Sequence, residues 1–223
     1  MQFSKHQFLP QIQEREREKA FLLLTKYRNY VIIKLVYMKI IILEGIPTSG
    51  KTSLIKEIEK HLRKSKKSYK IVFEDETFMP MLENKNVEIA NAFLSNLLEN
   101  YSKLDIDILV LDRFHYSLAF RTQSDLVNFK IIDKILLKYN TNVVLLKLPI
   151  NVILERLKDS LKHRDSSWTE YLDKKGDDSQ KLKYYTNQQE QLFKLASQSN
   201  LTNLCISTEN KNWKKYAQTI LCL

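Results

Sequence analysis

The sequence predicts an α/β fold, a three-layer sandwich in which a five-stranded parallel sheet carries helices on both faces. Three observations predict it. Short aliphatic runs alternate with segments of helical periodicity along most of the chain, the pattern of strand–helix–strand units with right-handed crossovers. The runs Ile40-Ile41-Ile42-Leu43 and Val143 to Leu148 are continuously apolar, as in strands buried on both faces. With 223 residues, 43% of them hydrophobic, the chain can bury one full α/β core.

Residues 1–37 precede this pattern and read as an N-terminal extension, either accessory or upstream of a second start at Met38. Gln11 to Tyr30 has helical character. Lys26, Arg28, Lys34 and Lys39 interrupt the apolar stretch from Ala20 to Leu43, and Glu14, Glu16 and Glu18 oppose a secretory signal. The main domain is residues 38–223. Its first strand, Ile40 to Glu44, runs into a glycine-bracketed loop. The helix that follows sets Leu54, Ile55, Ile58 and Leu62 inward and Lys56, Glu57, Lys60 and Arg63 outward. Ile71-Val72-Phe73 is the second strand, with Glu74-Asp75-Glu76 at its carboxyl end, and Thr77 to Asn86 is a loop. Val87 to Leu104 is amphipathic. Ile106 to Leu111 is the third strand and ends in Asp112-Arg113. A helix starts at Ser124 and runs through Leu136, with Ser124 as its N-cap. Val143 to Leu148 is the fourth strand, and Pro149 opens the helix Ile150 to Leu161. After a charged stretch come the helix Ser179 to Ser197, the strand Leu204-Cys205-Ile206 and the helix Trp213 to Leu221.

The loop reads Gly45-Ile46-Pro47-Thr48-Ser49-Gly50-Lys51-Thr52-Ser53. Strand before and helix after, it has the G-x-x-x-x-G-K-[ST] pattern of a P-loop NTPase in its required context. Each part has a physical reason. Gly45 permits a tight exit from the strand, and Gly50 lets the backbone approach a phosphate. Successive N–H groups and the positive helix end attract oxygen anions. Lys51 reaches the β- and γ-phosphates, and the Thr52 hydroxyl is placed to ligate Mg²⁺. The loop therefore predicts binding of ATP with Mg²⁺.

Composition narrows the partners. The net charge of +10 fits an enzyme of polyphosphate substrates as well as a nucleic-acid binder. The basic residues are spread along the chain without an Arg-rich run, which argues against nucleic acid, and no stretch reads as a membrane span. Two cysteines, Cys205 and Cys222, give no disulfide framework and fit a reducing cytoplasm. No His/Cys cluster has metal-ligand spacing. Asn-Lys-x-Asp, which guanine specificity would want, is absent after Asn84-Lys85 and Asn210-Lys211.

A second motif refines the expectation. Asp112-Arg113-Phe114-His115-Tyr116-Ser117-Leu118-Ala119-Phe120 resembles the D-R-Y-x-x-S-x-x-A-Y segment of thymidylate kinases. Leu43-Glu44-Gly45 and Leu148-Pro149 with Leu154-Glu155-Arg156-Leu157 resemble the same family, over about residues 38–221. The related deoxynucleoside kinases carry Glu-Arg-Ser where this chain has Asp-Arg-Phe. The resemblance implies a five-stranded sheet and a homodimer. It also implies γ-phosphoryl transfer from ATP to a nucleoside monophosphate, with a deoxynucleoside or another small molecule as the alternative acceptor. A nucleotide-binding regulator without transfer is the non-enzymatic alternative.

Carried over residue by residue, Arg113 contacts the acceptor phosphate and Asp112 lies beside Mg²⁺, making Thr52 and Asp112 the metal pair. The family's lid arginines map to about residues 158–177, where Arg164 is the first candidate among Arg156, Lys158, Lys162 and Arg164. Lys51, Asp112, Arg113 and Arg164 are thus the expected catalytic set. Glu76, Phe78, Arg113, Phe120 and Arg121 are the expected acceptor set. Two departures stand out. Arg121 occupies the place of the family's base-reading Gln or Asn. Glu74-Asp75-Glu76-Thr77-Phe78 replaces Arg-Glu-Pro-Gly, so that Glu76 could act as the base on a hydroxyl acceptor.

Overall fold

The structure, a computed structural model, describes residues 25–26 and 38–223. The chain divides between Tyr37 and Met38. Thr25 and Lys26 are helical, and the rest of the helix expected over Gln11 to Tyr30 lies outside the described residues.

From Met38 on, five parallel strands form one sheet: β1 (Lys39–Gly45), β2 (Tyr69–Val72), β3 (Ile108–Asp112), β4 (Asn140–Lys147) and β5 (Thr202–Ser207), in the order β2-β3-β1-β4-β5. The helices are α1 (Lys51–Leu62), α2 (Glu74–Thr77), α3 (Val87–Ser102), α4 (His115–Thr122), α5 (Lys130–Leu136), α6 (Ile150–Ser160), α7 (Ser166–Asp173), α8 (Asp178–Gln198) and α9 (Trp213–Leu221). The expected sandwich is present.

β1 holds the centre because both faces of its aliphatic run are used. Ile40 and Ile42 point into a core shared with α3, α4, α5 and α8 through Leu94, Leu118, Phe129, Ile132 and Leu192. Ile41 and Leu43 point the other way, against Leu54, Ile55 and Ile58 of α1 and Ala217 and Ile220 of α9. Each fully buried aliphatic side chain contributes roughly 1.5–3 kcal/mol, so this strand anchors both layers. A smaller cluster joins Ile46 of the phosphate loop to Leu148, Ile153, Leu172 and Tyr185, and so ties that loop to α6, α7 and α8.

The register places Leu43 beside Asp112 and Gly45 beside Leu146. The chain leaves β1 and β3, which are neighbours, towards opposite faces of the sheet. The crevice at their carboxyl ends is therefore the topological switch point where open parallel sheets bind ligands.

Three segments differ from the sequence reading. β2 ends at Val72, and Glu74-Asp75-Glu76 form a helical turn that fixes which carboxylate faces inward. Ser124 is no N-cap: a 3₁₀ turn, Leu126–Phe129, precedes α5. The charged lid stretch contains α7, whose N-cap Asp165 accepts from the Trp168 N–H, and Asp177 and Gln180 form a capping box that opens α8. Among the described residues no helix is long and apolar enough to cross a membrane.

Candidate active site

The phosphate loop is preorganised by backbone geometry. Gly50 has φ +97°, and a Cβ there would fall 2.1 Å from the Trp213 ring, so only glycine fits. Thr48 also sits in the left-handed region, at φ 66°. The Thr208 hydroxyl donates to the Ser49 carbonyl at 2.8 Å and holds the loop from the β5–α9 side. The first turn of α1 carries no acidic residue, which leaves its positive end clear for an anion. Thr52 and Ser53 are exposed there, and Pro47 is half-buried.

Lys51 is buried and folds back on the loop, with Nζ donating to the Gly45 and Ile46 carbonyls at 3.2 and 3.4 Å. Burial, helped by the neighbouring Arg113 charge, lowers its pKa to about 8. Three buried oxygens nearby lack hydrogen-bond partners: Thr48 Oγ1, Ser49 Oγ and Asp112 Oδ1. Burial also raises the Asp112 pKa, against the charges of Lys51 and Arg113. Unsatisfied polar atoms in a buried site are costly unless a ligand completes them. The residues present thus fit ATP·Mg²⁺: Thr52 and Asp112 would hold the metal, and the loop amides and Lys51 the phosphates.

Glu44, the last residue before the loop, is fully buried. Its carboxylate crosses to the start of α4, accepting from Phe114 N at 2.9 Å, from Ser117 N at 3.1 Å and from the Ser117 hydroxyl. It therefore fixes the β3–α4 turn to β1, an anion at a helix N-terminus. That turn carries Arg113, which takes the left-handed φ of 60° and is buried.

Arg113 projects into the crevice at the carboxyl ends of β1 and β3 and reaches the turn after β2. Its Nε donates to Glu74 Oε2 at 2.7 Å, and its Nη1 to the Gly45 carbonyl at 3.0 Å and Ser117 Oγ at 3.4 Å. The Phe78 ring lies under the guanidinium at 5.4 Å. The Glu74 side chain remains 45% exposed. Partial burial pushes its pKa up, but the charges of Arg113 and Lys51 and the Arg113 hydrogen bond outweigh this and hold it below the usual range.

The other expected residues are placed as follows. Glu76 is exposed and accepts from the Tyr101 hydroxyl at 3.0 Å, on the side of α3. The helical turn, one residue earlier than an extended strand end would allow, delivers Glu74 to Arg113 in its stead. Arg121 donates to the Leu82 carbonyl at 2.7 Å and so is held on the loop after β2. Phe120 packs edge-on against Tyr184 at 6.3 Å. In the lid, Arg164 is exposed, with its guanidinium 4.2 Å above the Trp168 ring, and its charge is felt by Glu74. The alternative lid cations are engaged elsewhere. Arg156 is buried against the Thr208 and Glu209 carbonyls, Lys158 pairs with Asp178 at 2.6 Å, and Lys162 pairs with Asp159 at 3.2 Å.

Several site residues were missed by the sequence reading. Glu74 and Glu44 are the main ones; both stood in segments already singled out, but adjacent carboxylates do not reveal which one turns inward. Tyr171 and Tyr184 also stand near the expected acceptor residues, with Tyr184 against Phe120. Burial and the neighbouring Tyr184 push the Tyr171 hydroxyl up to about 12, and the charges of Arg113 and Arg121 reach it. Lys175 lies over both rings, at 4.8 and 4.1 Å.

A family model described as chromatin associated protein KTI12 matches residues 38–124, from β1 through α4 and under half of the chain. The YorR protein of Bacillus subtilis, solved in complex with phosphorylated GDP, is 18% identical and superposes with a TM-score of 0.60 over 82% of this chain and 94% of that one. The fold is the α/β P-loop NTPase fold. A shikimate kinase from Acinetobacter baumannii, solved with shikimate, superposes more loosely, with a TM-score of 0.49 at 13% identity over 82% of this chain and 90% of that one. One from Bacteroides thetaiotaomicron gives the same TM-score and identity over 83% and 99%. No curated protein matches the chain.

Proposed function

We propose that this chain is an ATP- and Mg²⁺-dependent kinase that phosphorylates a hydroxyl group on a small acceptor, with Glu74 as the base. The observation that carries this reading is the Glu74–Arg113 pair, 2.7 Å apart and close enough to the P-loop for Lys51 to shift the Glu74 pKa. A monophosphate acceptor, as in thymidylate kinases, would need Arg113 free for its phosphate. Here that guanidinium is shared among Glu74, the Gly45 carbonyl and Ser117, and a phosphate would meet the Glu74 carboxylate beside it. The pair suits a hydroxyl acceptor better, as in deoxynucleoside kinases or other small-molecule phosphotransferases.

In this reading Glu74 accepts the hydroxyl proton while the acceptor oxygen bonds to the γ-phosphorus. The bond from that phosphorus to the β-γ bridging oxygen breaks, and ADP leaves. Thr52 and Asp112 would hold Mg²⁺, which when bound would supply positive charge to the nucleotide phosphates. Lys51 follows the charge as it moves to the leaving group, and Arg164 closes from the lid. Phosphoryl transfer is chiefly positioning and charge neutralisation, and this group of cations supplies both.

A coupled assay with ATP tests the proposal against matched nucleosides, nucleoside monophosphates and non-nucleoside polyols. ADP release that depends on a hydroxyl acceptor is expected. Turnover with monophosphates alone would overturn the acceptor assignment, and nucleotide binding without any turnover would make the chain a regulator.

A further inference from the structure

The positive charge of the unit Met38–Leu223 is not spread over its surface. Residues 52–67 and 211–223 carry nine Lys and Arg against two Glu, while the remainder of the unit carries 20 basic and 21 acidic residues. These two segments are α1 from Thr52 with the turn after it, and α9 with two residues on either side. The fold lays them side by side: Trp213, Tyr216, Ala217 and Ile220 pack into the same cluster as Leu54, Ile55 and Ile58. The two helices run parallel. Trp213 abuts Gly50 at the start of α1, and Lys67 beyond its end acts on Lys39, whose Nζ donates to the Ile220 and Leu221 carbonyls. Charges far apart in sequence thus meet on one layer.

All nine cations are exposed. Lys56, Lys60 and Arg63 stand on the outward side of α1 and its end, Lys67 follows the turn after it, and Lys214 and Lys215 stand in the first turn of the neighbouring α9. The two acids, Glu57 and Glu59, only bridge to Lys60 and Arg63 at the surface, at 3.4 and 2.7 Å. Such exposed pairs are weak and leave the cations available.

We infer that the α1–α9 face docks the phosphate backbone of a nucleic acid. α1 has 12 residues and is about 18 Å long at 1.5 Å per residue, long enough for its outward cations to meet several successive phosphates of a nucleic-acid backbone. A lipid surface fits less well, because interfacial binding wants apolar side chains beside the charge. Among the described residues, the exposed apolar side chains of Ile89, Val127 and Ile131 lie on other elements. The inference is independent of the kinase reading, since none of these cations lies in the proposed site.

The test is fluorescence anisotropy with a labelled 20-nucleotide RNA or DNA of mixed sequence, titrated with the full chain from 50 to 200 mM NaCl. Each phosphate contact contributes about 0.7–0.9 to the slope of log affinity against log salt. The combined variant Lys56→Gln, Lys60→Gln, Lys64→Gln, Lys214→Gln is expected to lower that slope by about 3 and the affinity at 50 mM NaCl by at least about tenfold. Lys130→Gln, Lys134→Gln, Lys138→Gln, on the opposite layer, is expected to change neither. ATP turnover should be unaffected by either set, which separates this inference from the catalytic one. No binding at 50 mM NaCl, equal losses in the two variants, or equal binding of polyglutamate or phosphatidylserine vesicles would each overturn it.

Discussion

The two sides of the crevice are built on opposite principles. On the donor side the protein leaves groups unsatisfied: Thr48 Oγ1, Ser49 Oγ and Asp112 Oδ1 have no partner, and Lys51 can turn only to backbone carbonyls. On the acceptor side the charged groups already have partners, Arg113 in Glu74 and Arg121 in the Leu82 carbonyl and, at 3.8 Å, Glu83. The donor side presents unsatisfied polar groups that a polyphosphate can complete. The acceptor side is self-sufficient, so an acceptor must offer something that an existing pair can share, and a hydroxyl shares with Glu74 more readily than an anion does. The difference teaches that the loop selects its ligand through unsatisfied groups, whereas the other wall selects it by competition.

The sharpest break in this comparison is Lys51→Ala. It deletes the one ammonium of the loop, and turnover should fall on the order of 10²–10³, the loss typical of removing a preorganised electrostatic group. Folding should persist, because Nζ bonds only to loop carbonyls. A single-turnover assay beside a thermal melt checks both, and near-wild-type turnover would refute the donor assignment.

Glu74→Gln strikes the other wall. It should lower kcat by about 10², the lower end of the usual loss of a general base, because a loosely bonded transition state needs little proton removal. Nucleotide affinity should stay unchanged by calorimetry. Arg113→Lys keeps the charge but loses the fork that spans Glu74 and the Gly45 carbonyl. With charge-assisted hydrogen bonds contributing roughly 1.5–3 kcal/mol, kcat/KM for the acceptor should drop at least about tenfold. Equal effects of Arg113→Lys on nucleoside and monophosphate substrates would remove the ground for preferring a hydroxyl.

Proton linkage distinguishes the two sides again. Lys51 titrates at about 8 in the free protein, below the ordinary lysine value. Nucleotide phosphates favour its charged form and raise that pKa. Below pH 8 the ammonium is already present, so affinity is flat; above pH 8 binding must take up a proton, and affinity should weaken up to about tenfold per pH unit. Stability runs the other way. The unfolded chain keeps this proton to higher pH, so the burial penalty is full below pH 8 and fades as pH rises towards 10.5. Lys51→Arg should flatten both profiles between pH 7.5 and 9.5, as followed by nucleotide titration and thermal melts.

The donor wall was legible in the sequence because its function resides in backbone conformation, and Gly45, Gly50, Lys51 and Thr52 record that conformation in a fixed spacing. The sheet was legible for a similar reason: Ile40 to Leu43 leaves no polar face, so the strand must be central. The acceptor wall depends on which way a turn rotates. Whether Glu74 or Glu76 faces Arg113 follows from β2 ending at Val72 and from Tyr101 on α3 taking the Glu76 carboxylate, and both are tertiary outcomes. The charged layer of α1 and α9 was hidden in the same manner, because two segments more than a hundred residues apart had to be laid side by side.

The smallest expected effect sharpens the comparison most. Glu74 and Glu76 are two residues apart, chemically identical and in one helical turn, yet only Glu74 touches Arg113. Glu76 is exposed and bound to a phenol at 3.0 Å, outside the crevice. Glu76→Gln keeps the shape and can still accept from Tyr101, so it should change kcat by less than about twofold and stability within about 0.5 kcal/mol, as for other surface substitutions. Measured beside Glu74→Gln on one acceptor, it controls for the general loss of negative charge near the site. If Glu76→Gln proved the more damaging, the turn after β2 would have to rotate during turnover. The self-paired wall would then be a resting arrangement that the acceptor dismantles.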